Sequence, residues 1–573
     1  MNLEHAAPPA RTRGDRFLKR AAETFAALGA RTETAAILLG CLFVTLTLAV
    51  LLVLPGKTFT YIYSHDMMIF LDGADRVLSG QVPNRDFGTP LGLLTYLMPA
   101  LGLWLGGSFG AMMPHAMAAF ALMILPMLVY ACASRLRLEY ALILALFTIT
   151  LVLTPANVGE QFPSFGMFYN RWGYALLAIV FVLTLPPLRG ERRPFADGAV
   201  AALILILSFY LKISYFGIAA GFVLLLLFPR ATRATAIAAF VGAAAGIAAV
   251  ELLWGGTASY LSDIGRAAEA SGVVRGTLPG LAGVAVYNVG MVAPFALLLG
   301  FAWWRGVSLW TLFLCLFMAG AGMLLANQNA QGAGLLTLIP AGIVASHSIA
   351  RGQPEEAGSS VPLLAFVLVA SIAATSILFS TEGLLRHTMM AMRDPTAAPR
   401  YAAEVDGFIA QEVDKPAPGM PGLETLRGAY AAERFDLAMV TQIRGLPVGQ
   451  IIAQPEYLWS VQDGAQLVRS QARLAGKILA LDMANPFNAL LGRPAPLGID
   501  SWHHAGRTFS DTTHPLAERL FGDVDVVLVP KAPVDPGSAL LFRRLYAAYL
   551  DQRFERVATS DYWHAYARRT PRL

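Results

Sequence analysis

The chain has 573 residues, 56% of them hydrophobic and 14% charged, with a net charge of +5 and a mean hydropathy of +0.55. Soluble proteins carry nearer ~25% charged residues, and several apolar windows here reach the ~18 residues that can cross a bilayer, which argues against a soluble globular protein. The positive excess is mostly Arg beside apolar runs, without the basic patch and interleaved aromatics of a nucleic-acid binder.

In chain order, 1–34 is polar and basic, and the apolar run after it is too long for a signal-peptide core. No cleavable signal is expected. Spans are predicted near 35–55, 111–131, 139–155, 172–188, 196–211, 214–228, 234–254, 286–303, 308–326, 334–350 and 361–381. Arg11, Arg13, Arg16, Lys19 and Arg20 precede the first span, so the positive-inside rule puts the N-terminus in the cytoplasm. With about eleven spans, Arg135/Arg137, Arg189/Arg192/Arg193, Arg230/Arg233, Arg305 and Arg351 also fall inside. Counting 91–105 as a twelfth span would reverse every later loop. That run is short and holds Gly and Pro, so it reads as a juxtamembrane or re-entrant helix on the outer side. The stretch 351–360 reads as a cytoplasmic linker.

The expected fold is therefore a polytopic α-helical membrane protein with a C-terminal mixed α/β extracytoplasmic domain. Its parts are a cytoplasmic segment 1–34, a membrane domain 35–382 with a first outer loop 56–110, and a soluble domain 383–573. In the tail, 477–481 and 525–530 read as strands and 538–550 as a helix. Cys41, Cys132 and Cys315 each lie inside an apolar run and read as small buried hydrophobes.

This topology gathers the unusual polar residues on the outer side. The first outer loop brings His65, Asp66, Asp72, Asp75, Arg76, Arg85 and Asp86. The next brings Glu160, Tyr169, Asn170 and Arg171, in MFYNRWGYALL. Lys212 joins two spans in FYLKISYF. Asp263, Arg266, Glu269 and Arg275 share another loop, and Asn327, Gln328, Asn329 and Gln331 cap a further span. Ionisable groups at membrane depth are costly and usually face a cavity. Plainer readings stand beside this one. Arg171 and Lys212 are placed to snorkel at helix ends. The Asn/Gln group suits capping and turns, and Asp72, Asp75 and Arg76 suit a solvated helix face.

The string HDMMIFLDGADRVLSGQVPNRDFGTPLGLLTYLMPALG, directly after the first span, resembles the acidic first loop of the GT-C superfamily of membrane glycosyltransferases. The resemblance is close over 35–110, looser over the remaining membrane part and architectural over 383–573. It implies an inverting transfer from a polyprenyl-phosphate sugar to a glycan, lipid or protein acceptor at the outer face of the bilayer. Thr89-Pro90 stands where the lipid A aminoarabinose-transferase type has Lys-Pro, and no WWDYG-like oligosaccharyltransferase motif is present.

A sugar on lipid phosphate already has a good leaving group, so the chemistry needs a base for the acceptor hydroxyl and cations for the phosphate. Asp66 is the expected base. With an ordinary pKa near ~3.9, it would take the proton late and in concert. Arg171 and Lys212 are expected to hold the phosphate. His65, Arg85, Asp86, Tyr169, Asn170, Gln328 and Gln331 are the other candidate substrate contacts. No cofactor is required, although Asp66 and Asp86 are a candidate oxygen pair for Mg or Mn. Trp502-His503-His504 with Asp511 and His514 reads as a loop of surface histidines rather than a metal site. A competing reading is a transporter or flippase, in which polar groups gather at the midplane beside broken helices. Composition points to a bacterial inner-membrane protein facing the periplasm.

Overall fold

The computed structural model describes residues 13–155, 163–188, 191–271, 278–328, 334–351, 361–393, 402–411, 423–432, 451–452 and 454–569, with 13–31, 278–279 and 423–424 by backbone alone. Glu160, Arg275, Asn329, Gln331, Arg189 and the linker 352–360 lie outside the described residues.

Helices dominate. They are α1 (Arg13–Val53), α2 (Ser64–Leu78), α3 (Leu94–Gly106), α4 (Phe109–Arg135), α5 (Leu138–Leu153), α6 (Phe168–Val182), α7 (Pro194–Leu211), α8 (Ile213–Leu225), α9 (Arg230–Trp254), α10 (Thr257–Ser271), α11 (Leu278–Tyr287), α12 (Val289–Trp304), α13 (Leu309–Gln328), α14 (Leu338–Arg351) and α15 (Val361–Ala391). Six stretches are long and apolar enough to cross a membrane: Thr32–Val53, Phe109–Arg135, Pro194–Leu211, Arg230–Trp254, Leu309–Gln328 and Val361–Ala391. The bent pair α11–α12, 89° apart at its break, makes a seventh if counted as one span. Each expected span coincides with a helix, but α5, α6, α8 and α14 are individually shorter than a crossing. α3, with 13 residues and Pro99 inside, reaches only about 20 Å at 1.5 Å per residue. That falls short of a hydrocarbon core about 30 Å thick.

Burial sorts these helices. Every residue of α6 except Tyr169 is buried, and so is α14 except Ser348 and Arg351. α6 packs on α4, α5, α7, α8 and α14 and is the axis of the bundle. The outer helices leave apolar side chains exposed, including Leu39, Phe43, Val241, Leu252 and Leu253. On helices of spanning length, such a surface suits lipid rather than water.

The remainder is mixed. β2 (Ala402–Val405) and β3 (Phe408–Gln411) form a hairpin through Asp406 and Gly407. Both turn residues have positive φ, 46° and 77°, the requirement of a tight two-residue hairpin that Asp-Gly meets at least strain. β1 (Thr58–Thr60) pairs parallel with β3, Thr58 opposite Phe408. The end of the first span is thus tied to the tail. Then come α16 (Leu423–Ala431), α17 (Gln454–Ser470), a 3₁₀ turn Ala472–Leu474, β4 (Ile478–Ala480), α18 (Phe487–Leu491), α19 (Ala517–Phe521), β5 (Val526–Pro530), α20 (Pro536–Arg553), β6 (Phe554–Thr559) and β7 (Trp563–Arg568). The second sheet has the order β4-β5-β7-β6, with β4 and β5 parallel and the other pairs antiparallel. The expected strands and helix fall on β4, β5 and α20. The boundary drawn at 382 lies inside α15.

The first outer loop docks on the tail. Gly88 donates its N–H to the Ile499 carbonyl at 3.3 Å and accepts from the Ser501 N–H at 3.0 Å. A Cβ on Gly88 would lie 2.0 Å from the Asp500 carboxylate, so any larger residue there would have to displace that side chain. The expected solvated face of α2 is overturned. Asp72 and Arg76 are 1% exposed each and paired at 2.7 Å, and Arg76 also donates to the Pro496 carbonyl at 2.7 Å. The tail covers this face and excludes water from it.

Candidate functional site

The site forms where two helices begin. The chain turns at Tyr63, whose φ of 58° is left-handed, and α2 starts at the next residue. Ser64 donates both its N–H and its hydroxyl to Gln454 Oε1, at 2.8 and 2.7 Å. The first residue of α17 thereby satisfies a backbone donor that a helix N-terminus leaves open. His65 and Asp66 follow in the same first turn, where the helix dipole favours negative charge.

The His65 Nε2 lies 3.4 Å from Asp66 Oδ1. His65 is buried, with its ring edge-on to Tyr63 and Tyr457. Burial pushes the His65 imidazole down to about 3, aided by the charge of His504, so it is neutral at pH 7. The contact with Asp66 is then not an ion pair. Burial pushes the Asp66 carboxyl up to about 7, with the Arg507 charge pulling it partly back. This corrects the ordinary carboxylate pKa expected from sequence. A group poised near neutrality is a better proton acceptor at working pH than one near ~3.9.

α6 begins in the same way, after Met167 with a left-handed φ of 53°. Left-handed non-glycine residues are uncommon, and here one precedes each helix that carries the site. A Cβ on Gly166 would stand 3.0 Å from Asp66 Oδ2 and 3.1 Å from the Tyr63 Cβ. Glycine lets the α6 entry approach the carboxyl. Tyr169 is the one residue of α6 not buried, and its ring packs edge-on to Phe70 and Phe168.

Lys212 stands between α7 and α8 in extended conformation, φ −161°. Its Nζ donates to Asn170 Oδ1 at 2.9 Å and sits 5.2 Å from the Tyr169 ring centroid, within cation–π range. Arg507, from the loop between β4 and β5, projects its charge onto Asp66, Tyr169 and Lys212. Four segments distant in sequence meet here: the heads of α2 and α6, the α7–α8 joint and the tail.

Other candidates lie elsewhere or play other parts. Arg171 is 2% exposed within α6, so it does not snorkel outward. Asp86 accepts the Val82 N–H at 2.7 Å and pairs with Arg85 at 3.1 Å, while its carbonyl accepts from Gly498. Burial works upward on the Asp86 carboxyl, but the Arg85 and Val82 hydrogen bonds outweigh it and hold the group below the usual range. These two residues form a turn against the tail. Gln328 ends α13, half-buried, and Gln331 lies outside the described residues. Among the described residues no group of three or more His, Cys, Asp or Glu is placed to hold a metal.

Sequence reasoning missed Gly166, Gln454 and Arg507, and named His504 only as a surface histidine. The last two sit inside the stretch read as a surface histidine loop. That reading is corrected for His503, which is buried against Phe509 and Phe542. No protein-family model matches the chain, and no curated protein matches it.

Proposed function

We propose that the protein is an inverting glycosyltransferase that moves a sugar from a polyprenyl-phosphate donor to a cell-envelope acceptor. Asp66 acts as the general base, taking the proton of the acceptor hydroxyl as its oxygen attacks the anomeric carbon. The C1–O bond to phosphate breaks on the opposite face, and the lipid phosphate leaves. Lys212 neutralises the leaving phosphate as a point charge. Tyr169 and Asn170 orient the sugar, and His65, neutral and buried, holds the carboxyl in place.

One observation carries this reading. Asp66 abuts Gly166 at the entry to α6, Lys212 lies on Asn170 and Tyr169, and Ser64 beside Asp66 is held by Gln454, a residue of the α/β tail. A site reached by that tail belongs at the bundle's outer interface, where a lipid-linked sugar presents its headgroup. A transporter would gather such groups at the midplane. The eleven-span topology, with a cytoplasmic N-terminus and a periplasmic tail, is part of the same proposal, and so is a bacterial inner membrane as its location. The acceptor is lipopolysaccharide, another polysaccharide or a protein.

The test is sugar transfer from a panel of radiolabelled polyprenyl-phosphate sugars to envelope extract, by wild type and Asp66→Asn. Transfer by wild type and its loss in the folded variant are expected. Transfer by neither, or equally by both, would overturn the assignment.

A further inference from the structure

α2 begins without a cap of its own. The residue before a helix is usually Ser, Thr, Asp or Asn, whose side-chain oxygen takes one of the open N–H groups. Tyr63 stands there instead, left-handed and making no side-chain cap. The cap comes from the tail. Gln454 Oε1 accepts both the N–H and the hydroxyl of Ser64, 390 positions away in sequence. Both residues are buried, Ser64 at 0% and Gln454 at 4% exposure. Without the amide oxygen, two buried Ser64 donors would lose their acceptor, which is costlier than losing an exposed bond.

Tyr457 meets the next residue of α2. Its ring stands edge-on to the His65 ring, centroids 6.3 Å apart, and His65 Nε2 is 3.4 Å from the Asp66 carboxyl. Gln454 and Tyr457 are three residues apart on α17 and so share a helix face. That face holds Ser64 and His65 directly, and Asp66 through His65. α17 itself is fixed within the tail. Trp563 of β7 donates its indole N–H to the Ser460 carbonyl at 2.7 Å, and Glu456 pairs with Arg427 of α16 at 2.6 Å. A Cβ on Gly464 would stand 2.7 Å from the Phe487 ring and 2.9 Å from Trp563 Nε1, so the helix lies close against both. The far end of α2 is docked separately. Arg76 donates to the Pro496 carbonyl at 2.7 Å and Gln81 to that of Ala495 at 2.8 Å.

We propose that Gln454, with Tyr457 beside it, is a positioning residue for the Asp66 carboxyl: α17 holds the head of α2, and with it the base, in the geometry that transfer needs. This rests on the glycosyl-transfer reading and adds to it that transfer depends on the docked C-terminal domain.

The experiment uses the full chain in lipid nanodiscs and follows sugar transfer from the polyprenyl-phosphate panel against pH, with rates taken per folded molecule. Gln454→Met keeps the length of the side chain but offers Ser64 no acceptor. It should lower kcat about tenfold to a hundredfold, the scale of a reacting group misplaced by about 1 Å. It should also move the midpoint of the pH–rate profile below about 7, where burial holds the carboxyl, because water admitted at the α2 head relieves that burial. A smaller folded fraction alone moves no midpoint. Gln454→Glu keeps a carboxyl oxygen for both Ser64 donors and should restore most of the rate. Gln81→Met removes a contact at the far end of α2 and should keep the wild-type rate and midpoint. The proposal is overturned if Gln454→Met transfers within about twofold of wild type, if its midpoint does not move, or if Gln81→Met loses as much. Should that happen while wild type transfers sugar and Asp66→Asn does not, the enzyme assignment stands and only the positioning role fails. If wild type transfers no sugar from any donor, both fail.

Discussion

Asp66 and Asp72 stand six residues apart on one short helix, the first half-buried and the second fully buried, yet they are built for opposite ends. Asp72 has a partner on its own helix, Arg76 at 2.7 Å, and the tail closes over the pair. Asp66 has a neutral histidine, two helix entries and a distant arginine. Burial raises both carboxyls, but of the two only Asp72 pairs with a Lys or Arg among the described residues. A buried pair holds a surface together; a half-buried acid that is not so paired stores proton affinity for use.

The largest expected effect separates these roles. Asp66→Asn should lower sugar transfer by about 10²–10⁴-fold, the range of a lost general base, with thermal melting preserved. Asp72→Asn should leave catalysis per folded molecule near wild type but strand the buried Arg76 charge. Breaking such a pair costs about 3–5 kcal/mol, read as a large drop in melting temperature. Replacing both partners, as Asp72→Leu with Arg76→Met, should recover most of that loss, because matched apolar groups avoid the desolvation of both ions. Equal loss of activity per folded molecule in Asp66→Asn and Asp72→Asn would erase the distinction.

The pH profile sharpens it. The active base is the deprotonated Asp66, and its carboxyl sits at about 7. Transfer should fall about tenfold per pH unit below that value and level off above it. Stability runs the other way. The folded carboxyl holds its proton more tightly than an unfolded one near ~3.9. Its contribution is therefore present at low pH and lost as pH rises towards about 7. Asn at this position keeps a neutral group at every pH, so Asp66→Asn should melt no lower than wild type at pH 8. A profile flat from pH 5 to 8 would rule out Asp66 as the titrating base.

Some of this arrangement was legible in the sequence. Helix positions followed from apolar windows, because a lipid-facing or buried helix needs a long run of such residues. Asp66 stood out by its place just after the first apolar span. Burial did not follow. The Asp72–Arg76 spacing announces an i,i+4 pair, but the cover over it comes from Pro496, more than 400 residues later. The pairing of Thr58–Thr60 with Phe408–Ala410 is equally remote, and three-residue strands carry no periodicity to reveal it. Arg507 was hidden for the same reason. Its own neighbourhood reads as a turn, and its relation to Asp66 exists only after the tail docks.

The smallest effect probes how the carboxyl is fitted. Gly166→Ala would add a methyl 3.0 Å from Asp66 Oδ2 and 3.1 Å from the Tyr63 Cβ. Both contacts are tighter than ordinary packing. Tyr63 is already held in a left-handed conformation at the α2 cap, so its backbone has little room to retreat, and the carboxyl is the group that turns. An off-line base loses rate steeply with displacement, so transfer should fall about threefold to tenfold, with a stability loss of about 1 kcal/mol. The decisive comparison is the double variant. If the methyl acts by moving the carboxyl, Gly166→Ala should cost no further rate in an Asp66→Asn background, because residues acting as a unit are not additive. An additive loss would mean that Gly166 serves the α6 entry itself, and that the close approach to Asp66 is incidental to catalysis.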